Sequence, residues 1–142
     1  MKLQELMTPN PVWISPETPV STAARILAKY NIGMLPVCTP QGRLRGLLTD
    51  RDIVTRCLAA DRDPSRARAE TVMTRRIVAG SPAMDAAVAA HLMGREQVRR
   101  LPVLENGVLC GVVSLADLAR REETEIDASD ALGDISGNLS RR

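Results

Sequence analysis

The sequence repeats itself, and a chain that repeats builds two copies of one small fold. Met7-Thr8 recurs as Met73-Thr74, an offset of 66 residues (73 − 7). At that offset Ser15-Pro16 meets Ser81-Pro82, Ala23-Ala24 meets Ala89-Ala90, and Leu35-Pro36-Val37 meets Leu101-Pro102-Val103. After one deletion the offset becomes 65, and Gly46, Thr49, Asp52 and Arg56 meet Gly111, Ser114, Asp117 and Arg121. The match runs through polar and apolar positions alike, so it is a tandem duplication. With 142 residues the chain has room for one domain or two very small ones.

Each copy reads as β-α-β-β-α. In the first, Val12-Trp13-Ile14 is a short strand and Thr18-Pro19 opens a helix carrying Val20, Ala23, Ala24, Leu27 and Tyr30 on one face. Met34 to Cys38 and Leu44 to Thr49 are strands, and Asp50 to about Ala60 is a helix with Ile53, Val54, Cys57 and Leu58 inward. In the second, Ser81-Pro82 opens a helix carrying Ala86, Ala89, Ala90 and Met93, and Asn106-Gly107 joins strands 101–104 and 108–114. A helix from about Ala116 to Glu123 closes it. The fold class is α/β (α+β). Unit one is 1–60, a charged linker 61–69, unit two 70–124, and a polar stretch without lasting periodicity, 125–142, reads as a tail that is disordered or ordered only by a partner.

Composition narrows the function. Nineteen basic and 17 acidic residues leave a net charge of +2, too little to argue for nucleic acid or an anionic membrane. With Trp13 and Tyr30 the only aromatics, there is no stacking platform for single-stranded nucleic acid. Three cysteines without a CxxC pair fit a reducing compartment. The opening residues carry no apolar signal-like run, so a cytoplasmic location is expected.

The informative segments are Gly46-Leu47-Leu48-Thr49-Asp50-Arg51-Asp52 and Gly111-Val112-Val113-Ser114-Leu115-Ala116-Asp117. In each an apolar strand ends at a hydroxyl residue, a helix begins, and an acid follows three residues on. Unpaired N–H groups at a helix start favour phosphate, and a carboxylate nearby suits ribose hydroxyls. The same pattern is also a capping box that needs no ligand. Both readings account for it.

These residues, with LPV in both copies, resemble a tandem pair of cystathionine-β-synthase (CBS) domains over about Leu3 to Glu123. The stretches NIGMLPVCTPQGRLRGLLTDRDIVTR and QVRRLPV are similar to small stand-alone bacterial pairs, including an actinobacterial type of the hypoxic response. The resemblance implies two units packed through their sheets about a pseudo-twofold axis, with clefts that take AMP, ADP, ATP or S-adenosylmethionine, and a homodimer. It assigns ribose to Asp52 and Asp117, and phosphate or ribose to Thr49, Ser114, Arg51, Arg99 and Arg100. It places adenine against Thr8, Pro11, Val12, Gly33 and Met34 in unit one, and Thr74, Ile77 and Val78 in unit two. Arg99-Arg100 stand where unit one has Gly33-Met34, so the two sites are unequal.

Other chemistry finds little support. His91, the only histidine, reads as a partly exposed helical residue, and Cys38, Cys57 and Cys110 read as small core residues. No metal-ligand spacing, P-loop, GxGxxG or GxSxG motif is present, so no catalytic residue, metal or required cofactor is expected. The sequence therefore points to a regulatory module that senses an adenosine-containing ligand and acts in trans on an effector protein. The rival is a stress-associated interaction protein with vacant clefts and a metal- or thiol-dependent role.

Overall fold

Each repeat is organised round an antiparallel hairpin, and both hairpins fall where alternation and turn residues put them. The computed structural model describes residues 1–121 and 124–139. β1 (Thr8–Pro9) and α1 (Val20–Tyr30) precede the first hairpin, β2 (Met34–Cys38) with β3 (Leu44–Thr49). α2 (Asp50–Asp52) follows, continuing as a π-helical turn over Ile53–Leu58, and then α3 (Ala69–Val72). α4 (Ala86–Glu96) leads into the second hairpin, β4 (Arg100–Glu105) with β5 (Val108–Ser114), and α5 (Leu115–Ala119) and α6 (Glu125–Leu139) complete the chain. Asn106 and Gly107 both lie at positive φ (53° and 80°), as a tight two-residue hairpin turn requires. The fold is α+β.

The compact units do not follow the repeat. One is Val12–Ile77, the Asp52 unit; the other joins Met1–Pro11 to Val78–Arg142, the Asp117 unit. The opening residues of each repeat have changed places. Thr8 and Pro9 of β1 lie antiparallel to Val112 and Gly111 of β5. Thr74 exchanges two backbone hydrogen bonds with Leu47 of β3, at 2.8 and 2.9 Å. Gly46 and Gly111 make the exchange possible: a Cβ on Gly46 would lie 2.7 Å from the Thr74 carbonyl oxygen, and one on Gly111 2.9 Å from Met7 Cγ. The division 1–60 and 70–124 thus describes the repeats, while residues 1–11 and 70–77 pack in the unit of the other repeat. Within the stretch read as a linker, Ala67 and Ala69 are buried, and Ala67 accepts a hydrogen bond from the Val20 N–H.

Each unit has its own core. In the Asp52 unit Val20, Ala23 and Leu27 of α1 meet Leu35, Val37, Leu48, Ile53 and Cys57. In the Asp117 unit Ala86, Ala89, Ala90 and Met93 of α4 meet Leu101, Val103, Val113, Leu118 and Leu3.

Several local expectations are corrected. Val12-Trp13-Ile14 is not a strand. Only Ile14 bridges to Val37, and Pro11 and Pro16 bracket the stretch without an N–H to extend a ladder. Val54, Leu58 and Tyr30 face solvent (56%, 52% and 49% exposed), because a helix covered on one side buries a narrow stripe and the next positions round point outward. α4 begins at Ala86, where Asp85 accepts the Ala87 N–H at 2.8 Å, and Ser81–Met84 forms a turn before it. α5 ends at Ala119, and positions 122–123 of the expected helix lie outside the described residues.

The largest correction is the tail. Glu125–Leu139 is α6, and 140–142 lie outside the described residues. Ala128, Ala131 and Ile135 are buried in the Asp117 core, where α6 packs on α4 and α5. The Thr124 hydroxyl donates to the Leu118 carbonyl at 2.5 Å, the Ala128 N–H bonds the Thr124 carbonyl, and Asp127 Oδ1 lies 3.3 Å from His91 Nε2. Two alanines and one isoleucine make a stripe too small to register as hydrophobic periodicity. Among the described residues no helix is long and apolar enough to cross a membrane.

Candidate functional site

Thr49 ends β3 and Ser114 ends β5, and each closes a reciprocal capping box with the acid three residues on. The Thr49 N–H donates to Asp52 Oδ2 at 3.1 Å and the Asp52 N–H to Thr49 Oγ1 at 3.0 Å. The Ser114 N–H donates to Asp117 Oδ2 at 2.8 Å and the Asp117 N–H to Ser114 Oγ at 3.1 Å. The box uses one carboxylate oxygen and leaves the second to other partners. Those partners differ between the units.

Asp52 is locked inward. The Thr74 hydroxyl lies 3.1 and 3.2 Å from its two carboxylate oxygens, and Arg56 Nη1 lies 3.8 Å from Oδ1 while donating to the Met73 carbonyl at 3.0 Å. The side chain is 8% exposed. Asp117 is more open, at 21%, and its Oδ1 faces Arg120 Nη1 at 3.2 Å. Among the described residues no bond joins it to Thr8, the repeat counterpart of Thr74.

The exchange of opening segments regroups the expected site residues. Thr74 and Ile77 stand with Thr49, Arg51, Asp52, Val12, Gly33 and Met34, whereas Thr8 and Pro11 stand with Val78, Arg99, Arg100, Ser114 and Asp117. Val78 packs on the edge of the Asp117 core. Met34 is buried, and Arg51 is exposed on α2. Arg99 and Arg100 end up beside Ser114: Arg100 is its register partner, and Arg99 accepts the Leu115 N–H through its carbonyl.

These groups line a cavity of about 710 Å³ within the Asp117 unit, walled by Arg99, Arg100, Ser114, Ala116 and Arg120 and, from α6, by Glu125, Ser129 and Leu132. The volume lies within the range of small-molecule sites, roughly 300–1,000 Å³. Among the described residues no carboxylate is paired with Arg99 or Arg100, and both of these guanidinium-bearing residues line the cavity. Such forks suit phosphate or carboxylate. Arg120 is a lining residue that the sequence did not single out. Its position three residues after Asp117 on a helix was the available signal.

The thiols are quiet. Cys38 and Cys57 are buried and Cys110 partly so. Burial pushes the Cys38 thiol up to about 11 and raises that of Cys110, with the Glu105 charge adding to it. Between about pH 9 and 11 the unfolded chain releases the Cys38 proton while the folded chain keeps it. Stability is therefore expected to fall there by up to about 1.4 kcal/mol per pH unit. Urea unfolding at pH 8, 9 and 10 should show the slope, and Cys38→Val should flatten it. Among the described residues no three His, Cys, Asp or Glu side chains cluster as metal ligands.

Two repeats, each an antiparallel hairpin flanked by helices and closing a hydroxyl–acid box at a strand end, define a tandem α+β module. The chain belongs to the CBS domain family, whose model matches residues 3–59 and 69–123. It is 38% identical over 134 residues to the CBS domain-containing protein YhcV of Bacillus subtilis, covering 94% of each chain. It is 34% identical over 117 residues, 82% of each, to hypoxic response protein 1 of Mycobacterium tuberculosis. A crystal structure of Hypoxic Response Protein I with two coordinated zinc ions matches with a TM-score of 0.79 and 32% identity, over 85% of this chain and 98% of that one. The CBS domain pair of MJ0100, solved with 5-methylthioadenosine and S-adenosyl-L-methionine, matches with a TM-score of 0.76 and 25% identity, over 84% and 94%.

Proposed function

We propose that this chain is a regulatory module that binds an adenosine-containing ligand (AMP, ADP, ATP or S-adenosylmethionine) and acts in trans on an effector protein as a homodimer, without catalysing a reaction. The observation that carries the reading is the cavity of Ser114, Arg99, Arg100 and Arg120, with the partly open Asp117 carboxylate bonded to two of its lining residues, Ser114 and Arg120. Asp117 takes the ribose hydroxyls, and Ser114, Arg99 and Arg100 take the phosphate, with Thr8, Pro11 and Val78 toward the base. Asp52, Thr49 and Arg51, with Val12, Gly33, Met34, Thr74 and Ile77, form the counterpart. That site is the weaker one, because Thr74 already occupies the Asp52 carboxylate. The adenosine compounds bound by the MJ0100 pair support the ligand class. Ligand binding would favour one arrangement of the chain over another and so change its affinity for the effector.

Thermal unfolding against the four ligands tests the proposal. A ligand at a hundred times its Kd adds about 2.7 kcal/mol. At least one should raise the Tm by roughly 5 °C or more, and Asp117→Ala should remove most of the rise. No shift with any of them would overturn it.

A further inference from the structure

α6 lies beyond the segment that the CBS domain model matches, which ends at residue 123, yet it supplies one wall of the arginine-lined cavity. Ala128, Ala131 and Ile135 fix it on the Asp117 core, and its contact with His91 pins it further. Glu125, Ser129 and Leu132 are exposed and line the same cavity as Arg99, Arg100 and Arg120. Among the described residues three arginines and one carboxylate line the space, and that carboxylate, Glu125, comes from α6. A phosphate chain seated at Ser114 shares the cavity with α6, so added phosphates bring more negative charge into the space that the Glu125 carboxylate lines.

We infer that α6 is the specificity wall of this pocket, setting how many phosphates a nucleoside ligand can carry through the Glu125 charge and the neutral surface of Ser129 and Leu132 beside it. The inference rests on the adenosine reading above, and it makes Glu125 a brake on nucleoside triphosphates relative to monophosphates. A role confined to holding the fold together would not change the ratio between two ligands of one nucleoside.

The test measures Kd for AMP and ATP by calorimetry on the full chain and on Glu125→Gln, Ser129→Asp and Leu132→Lys, all surface changes that leave the buried stripe intact. Glu125→Gln and Leu132→Lys should improve ATP over AMP by about two- to fivefold, and Ser129→Asp should worsen it by a similar factor. The shifts should shrink in 0.5 M salt. Inorganic tripolyphosphate is the third probe. If both nucleotides bind and their ratio ignores all three variants, the inference is overturned and the adenosine reading stands. If neither nucleotide binds but tripolyphosphate does, with affinities that follow the α6 charge, AMP and ATP fall as the adenosine ligand and the wall stands. Tripolyphosphate binding that ignores the variants, or none at all, overturns it in that case too.

Discussion

Asp52→Ala will cost the fold about 2–3 kcal/mol, and Asp117→Ala about 1 kcal/mol, although the two acids hold equivalent places in the repeat. Removing the Asp52 carboxylate strips the Thr49 N–H and the Thr74 hydroxyl of their acceptor, and it leaves Arg56 without its ion pair. Stranding polar groups in a buried site costs about 1–3 kcal/mol, and the lost box adds roughly another 1. At Asp117 the box is lost too, but the Arg120 guanidinium is 73% exposed and water replaces its partner. Urea unfolding of the two variants checks the difference, and equal losses would refute it. The contrast also separates roles: Asp52→Ala should show its damage in stability, Asp117→Ala in ligand binding.

Gly46→Val will cost about 2–3 kcal/mol, because the added Cβ would lie 2.7 Å from a backbone oxygen, that of Thr74, rather than from a flexible side chain. The two bonds between Leu47 and Thr74 must open or the hairpin must bend. Hydrogen exchange at the amides of these two residues should accelerate ahead of the rest of the Asp52 unit. Gly133→Ala is the control, since nothing lies within 4 Å of a Cβ there, and in mid-helix it should gain up to about 1 kcal/mol. A Gly46→Val protein as stable as the parent would mean that the exchanged pairing carries no weight.

Much of this was legible in the sequence. Strands β2, β3 and β5 begin and end where alternation and turn residues put them, since a two-residue hairpin signal is local and strong. The Thr49–Asp52 and Ser114–Asp117 pairs were legible as capping boxes and as binding candidates, and the boxes are formed. What periodicity could not carry is long-range partnership. Nothing near Thr74 says that its hydroxyl will meet Asp52, 22 residues back, or that β1 will leave its own repeat for β5. α6 escaped for a different reason: Ala128 and Ala131 bury little area each, so their spacing contributes almost nothing to a hydrophobic pattern, and Gly133 and Gly137 interrupt it. Its stability comes from docking rather than propensity, as for most short helices.

The exchanged segments also dictate an order of assembly during synthesis. Thr8 and Val112 are partners 104 residues apart (112 − 8). At roughly 5–20 residues per second the ribosome keeps them apart for about 5–20 s. Leu47 waits for Thr74 over only 27 residues (74 − 47). The Val12–Ile77 unit is therefore fully translated while residues 1–11 still lack a partner. The half with the arginine pocket is the last to assemble, and a nascent chain stalled before β5 would hold a complete Asp52 unit with a loose leading strand.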